Sequence, residues 1–210
     1  MKRQDFDAQA PNPAQVIMAT RAMAMPESNH LGLALLHALR LAHLLEEVST
    51  VVDNGGGELP AIALRTAIET TGQGLFFATH PGEEERIVVQ GDHAVKRIAD
   101  LADVPSPTPL GEGPGPLTYD QAWEKFAAGT QGKIEAGDLA NMKLYFRSLS
   151  ETAVHPGLPA IARYVLIDGN DASLVSKPAP LIPPKTALGL IASFLDILNE
   201  TITESVHRQP

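Results

Sequence analysis

Apolar residues return at steps of three and four in one segment after another, and this periodicity limits what the chain can fold into more than any other feature. Between Ser28 and Val52, Leu31, Leu35, Leu39, Leu45, Val48 and Val52 follow that spacing and leave a polar arc of His37, Arg40, His43, Glu47 and Thr50. On a helix advancing about 100° per residue these positions cover much of the circumference, so the segment reads as a long helix with one wet side. Asp53-Asn54-Gly55-Gly56-Gly57 ends it, since glycines and short polar side chains favour turns. The stretch Leu139 to Gly157 repeats the pattern with Leu139, Met142, Phe146, Leu149 and Ala153. It is expected to be a core-facing helix at the centre of the protein.

Ala14 to Met25 reads as a first helix stopped by Pro26, with Ser28 or Asn29 as the cap of the next. A further helix is expected from Pro60, a residue suited to a first turn, to about Thr79, with Leu64, Ile68, Thr71 and Leu75 as its stripe. Gly72 and Gly74 on it would let a neighbour approach closely. Glu83 to Glu85 place negative charge at the start of a helix expected to reach about Val104. Val104 to Pro116 holds five prolines and three glycines and reads as an irregular connection. A short helix is expected over Tyr119 to Ala128, and Asp138 is a candidate cap for the helix that follows Gly137. After Gly157, Tyr164 to Ile167 and Ser173 to Val175 flank Asp168-Gly169-Asn170-Asp171, which predicts a β-hairpin. Lys185 to about Val206 completes the chain with the stripe Leu188, Ile191, Leu195, Leu198 and Ile202. The expectation is a mainly α fold: a single helical bundle of six or seven helices over residues 14–206, with a short late β-hairpin and a flexible N-terminal arm over residues 1–13.

Ala and Leu are abundant and aromatic residues few, which favours helix packing over a β-sandwich. The net charge of −9 disfavours broad binding to nucleic acid or an acidic membrane, both of which draw on Lys and Arg. The chain has no cysteine, which excludes disulfides, thiolate catalysis and Cys-based zinc sites. The N-terminus is polar, and the richest apolar run, Leu31 to Leu45, is interrupted by His37, Arg40 and His43. A cytoplasmic protein without a membrane span is expected.

Beside the stripe of the 139–157 segment, Arg147, Glu151 and His155 follow one another at intervals of four, so each can reach the next along one flank. Pro156 and Gly157 place His155 at or just past the helix end. This ladder offers an anion-binding arginine and a general acid or base. The plainer reading is a row of surface ion pairs. Arg65 and Glu69, also one turn apart, are candidates to complete a polar pocket with Ser150, or to form a half-buried structural pair that sets helix register. His37 and His43 stand roughly 240° apart on the helical wheel, outside any HExxH pattern, so His30, His37 and His43 read as a solvated face and no metal site is expected. Gly55-Gly56-Gly57 and Gly111 to Gly115 lack the Lys-Ser/Thr of a phosphate loop, and no cofactor is expected.

The pairing of RTAIE, Arg65 to Glu69, with YFRSLSETAVHPG, Tyr145 to Gly157, resembles uncharacterised bacterial helical proteins related to the HEPN superfamily over about residues 58–165. HEPN ribonucleases are dimeric and metal-independent and use an arginine with a nearby histidine. The resemblance implies His155 as acid and base and Arg147 as the phosphate-stabilising group. Seven residues separate the two here, a wider gap than the family's pair has, and Ser148 follows the arginine.

Two functions follow as expectations. The first is a non-catalytic binding or interaction module, a homo-oligomer with a polar pocket of Arg65, Glu69, Arg147, Ser150, Glu151 and His155. The second is a metal-independent endoribonuclease acting at a dimer interface, with RNA disfavoured as partner by the net charge. A helical small-molecule sensor would instead need a closed apolar cavity near Phe76, Phe77 and Trp123.

Overall fold

The computed structural model describes residues 10–52, 57–86, 96, 100, 117–129, 136–154, 162–168, 171–175 and 179–208. Among these lie six α-helices: α1 Pro13–Ala22, α2 Asn29–Val52, α3 Leu59–Thr79, α4 Tyr119–Gly129, α5 Ala136–Leu149 and α6 Pro184–His207. Strands β1 Val165–Asp168 and β2 Asp171–Leu174 pair antiparallel, Val165 opposite Leu174 and Asp168 opposite Asp171. The fold is mainly helical with a short late hairpin. Residues 1–9 of the expected arm, most of the helix expected over Glu83 to Val104, and the connection from Val104 to Pro116 lie outside the described residues.

Asn12 starts α1. Its side-chain oxygen accepts from the Ala14 N–H at 3.0 Å and the Gln15 N–H at 3.4 Å, and Pro13 needs no partner for the N–H it lacks. Val16, Ile17 and Thr20 form its buried face. Asn199 on α6 donates to the Thr20 hydroxyl at 2.9 Å, so this buried polar pair is satisfied and fixes α1 against α6.

The interior is built where α2, α3 and α6 meet. Leu31, Leu41 and Leu45 of α2, Leu64, Ile68 and Leu75 of α3, and Ile191, Leu195, Leu198 and Ile202 of α6 are all fully buried. Interiors of this kind pack as densely as organic crystals. Here the fit uses two glycine notches on α3. A Cβ at Gly74 would stand 2.8 Å from Leu198 Cδ2 and 3.0 Å from His37 Cβ. A Cβ at Gly72 would stand 2.6 Å from Trp123 Nε1, the atom that donates to the Ile68 carbonyl at 2.9 Å. The Gly72 notch therefore admits the Trp123 indole, and the Gly74 notch admits Leu198 of α6 and His37 of α2.

The Gly74 notch also corrects the reading of α2. His37 does not belong to a solvated face: it covers the notch, is only 9% exposed, and its Nδ1 lies 2.8 Å from the Leu33 carbonyl. Its Nε2 faces Gln73 Oε1 at 3.3 Å. Burial, the largest influence, lowers its pKa against the pull of these two hydrogen bonds, and Arg40 lowers it further. His30 is buried as well, whereas His43 is exposed beside Glu47 at 3.3 Å.

The helix carrying the 139–157 pattern is a flank rather than the centre. Phe146 and Leu149 are buried, but Leu139, Met142 and Ala153 are only partly so. α4 and α5 form an outer layer on α3, crossed by two ion pairs, Glu124 with Lys143 and Asp120 with Arg147. Acids four apart on one helix meet bases four apart on the next, a register that runs the two helices antiparallel. Among the described residues no helix is long and apolar enough to cross a membrane.

Candidate functional site

Helix α5 ends in a wider turn. Ser150–Val154 is a π-helical segment continuing from Leu149. The Ser150 hydroxyl donates to the Phe146 carbonyl at 2.8 Å, and the Thr152 hydroxyl to the Ser148 carbonyl at 2.6 Å. Such back-bonding gives helical carbonyls a second donor and bends helices. Single π turns recur at functional sites. The wider turn advances each residue by less than the α-helical step, so positions beyond Leu149 leave the flank predicted for them.

Ser150, one turn past the buried Phe146, faces α3. Arg65 donates through Nε to the Ser150 hydroxyl at 3.1 Å and through Nη1 to Glu69 Oε2 at 3.3 Å. Its guanidinium carbon lies 4.6 Å from the centre of the Phe146 ring, within cation–π range. Three groups thus hold one arginine whose side chain is still 25% exposed. The Ser150 bond is worth about 1 kcal/mol, and the Glu69 pair adds about 0.3 kcal/mol as an i,i+4 contact.

Phe146 has a second partner. Tyr119 stacks on it at 3.6 Å between ring centres, 22° from parallel. With the phenol on one face, the guanidinium over the ring occupies the other. Burial first, and then the Asp120 carboxylate, raise the Tyr119 pKa, while Arg147 pulls it down. Neither Tyr119 Oη nor Asp120 Oδ1 completes a hydrogen bond of normal geometry among the described residues.

Arg65, Glu69 and Ser150 therefore come together in one recess. Arg147 does not extend it along α5. Its Nη2 lies 3.9 Å from Asp120 Oδ2 on α4 and it is 68% exposed, whereas Arg65 lies over the Phe146 ring. Glu151 is exposed. His155 lies outside the described residues. Among the described residues no group of three or more metal-ligating side chains converges.

Phe146, Tyr119 and Asp120 contribute to the site without having been singled out as candidates. Phe146 was read as core, which it also is. The signal for the α4 residues was available in the charges: Asp120 and Glu124 repeat at four, as do Lys143 and Arg147. A small-molecule sensor would need its closed apolar cavity beside three aromatic residues that pack against other rings. Phe76, Phe77 and Trp123 are buried, with Phe76 against Phe77 at 5.4 Å and Trp123 against Phe194 at 6.2 Å.

No protein-family model, curated protein or solved structure matches the chain.

Proposed function

We propose that this chain is a non-catalytic helical binding or interaction module, HEPN-like and bacterial, acting in the cytoplasm as a homodimer, with the Arg65 recess as its polar contact point. The observation that carries the reading is the fixation of Arg65. A guanidinium has five N–H donors; Ser150 and Glu69 take one each among the described residues, and the side chain is partly open to water. A donor set already immobilised by stacking and hydrogen bonds loses little entropy when an acceptor arrives. Glu69 offsets the charge of Arg65, which suits recognition of a polar group better than stabilisation of a transition-state anion. Leu144 and Tyr145, exposed on the outer side of α5, support a subunit contact beside the recess.

Incubation of the purified protein with RNA in EDTA, beside Arg147→Ala and His155→Ala, tests the reading. No cleavage by any of the three is expected. Cleavage that disappears with His155→Ala would replace binding with endoribonuclease activity. A melting-temperature screen against RNA oligonucleotides, inorganic phosphate and citrate is expected to give a ligand-dependent rise that Arg65→Gln abolishes. A rise that Arg65→Gln leaves intact would remove the recess from the contact.

A further inference from the structure

A second surface lies on the N-terminal half of α2. Gly32, Leu33 and Leu36 line an open groove of about 460 Å³ together with Met25 from the α1–α2 connection and with Glu84 and Glu85. Met25 and Leu36 are 64% and 51% exposed, so two large apolar side chains face water within one groove. Gly32 deepens it: a Cβ there would already touch the Met25 sulfur at 3.7 Å. His30 Nδ1 stands 3.7 Å from the Glu84 carboxylate. The groove shares no residue with the Arg65 recess.

We infer that this groove is a docking site for a basic amphipathic helix of a partner protein. Three features select that occupant. The lining is largely apolar and includes a methionine, whose unbranched, polarisable side chain adapts to varied apolar contacts. Glu84 and Glu85 make part of the lining acidic, so a ligand with lysine or arginine flanking its apolar stripe meets opposite charge. An open trough does not enclose a small molecule, whereas grooves that accept a helix engage one face through anchors at helical spacing. The net charge of −9 draws cationic partners toward the protein as a whole and acidic ones away.

Fluorescence-anisotropy titration of the full chain with a labelled synthetic helix tests the inference, the helix carrying leucines on one stripe and lysines on its flanks. Controls are a helix with every lysine replaced by glutamate and a lysine helix without leucines. Saturable binding of the first helix alone is expected, weakening with salt. The double variant Glu84→Gln, Glu85→Gln is expected to weaken it about tenfold, an effect of the size that rim charges produce. Gly32→Leu, which fills the groove, is expected to do the same. If Gly32→Leu does not fold, as judged by circular dichroism, Leu36→Ser at the exposed rim decides. Absence of binding, equal binding of the leucine-free helix, or an affinity unchanged in the acid variant and in the apolar-lining variant would overturn the inference.

Discussion

The inner trio α2, α3 and α6 and the outer pair α4 and α5 are held in different ways. In the trio, fully buried leucines and isoleucines interdigitate through a glycine notch, and the buried Asn199 and His37 are hydrogen-bonded. The outer pair leans on α3 through Phe146, Trp123 and hydrogen bonds to Ile68 and Ser150, and it leaves charged groups half open. The first arrangement gives stability with little surface chemistry. The second holds an arginine still while water reaches it, which is what a contact site requires.

The difference predicts unequal costs for similar truncations. Leu195→Ala in the trio should cost about 3 kcal/mol, because the surrounding helices cannot collapse into the space. Urea unfolding checks it, and a loss below about 1 kcal/mol would mean that the interior is looser than described.

Gly72→Ala joins the two regions. Its added methyl would overlap the Trp123 indole, and it should destabilise by about 1–2 kcal/mol after the gain in helix propensity is subtracted. Thermal melting of Gly72→Ala beside Trp123→Phe tests the cause, since the smaller ring should relieve part of the penalty. Equal penalties in both backgrounds would separate the notch from the indole.

His37 gives the trio a pH dependence. Its folded-state pKa is lowered from 6.5, so the unfolded chain binds the proton more readily. The stability it protects is complete above pH 6.5 and is lost as the pH falls from there through the folded-state pKa. Unfolding free energies from pH 7.5 downward should decline before the carboxylates titrate, and His37→Gln should remove that early part. The smallest effect belongs to the surface of α1: Met18→Ala, at a position 71% exposed, should change stability by less than about 0.5 kcal/mol.

The sequence made the trio legible because burial on a helix is periodic. Leu64, Ile68, Thr71 and Leu75 are buried as their spacing predicts, as are Ile191, Leu195, Leu198 and Ile202. The hairpin was equally readable from Tyr164 to Val175, since β-prone runs flank a turn sequence. His37 was not, because its burial depends on Gly74 of a different helix. Position 37 looks polar on its own wheel, and only the approach of α3 turns that side inward. The centrality of α5 was misjudged for a related reason. A stripe reports that a face is covered, but not by how many neighbours. The fate of Arg147 was hidden because its partner, Asp120, stands on a different helix. Arg65 and Ser150 are far apart in sequence, and their meeting depends on the packing of the α5 end against α3.

The coupling of Arg65 to Ser150 is the most direct quantity to measure. A double-mutant cycle of Arg65→Gln and Ser150→Ala in urea unfolding should return an interaction of about 1 kcal/mol, since the two groups share one partly buried hydrogen bond. Losses that add to within about 0.3 kcal/mol would contradict a recess built by α3 and the π turn together.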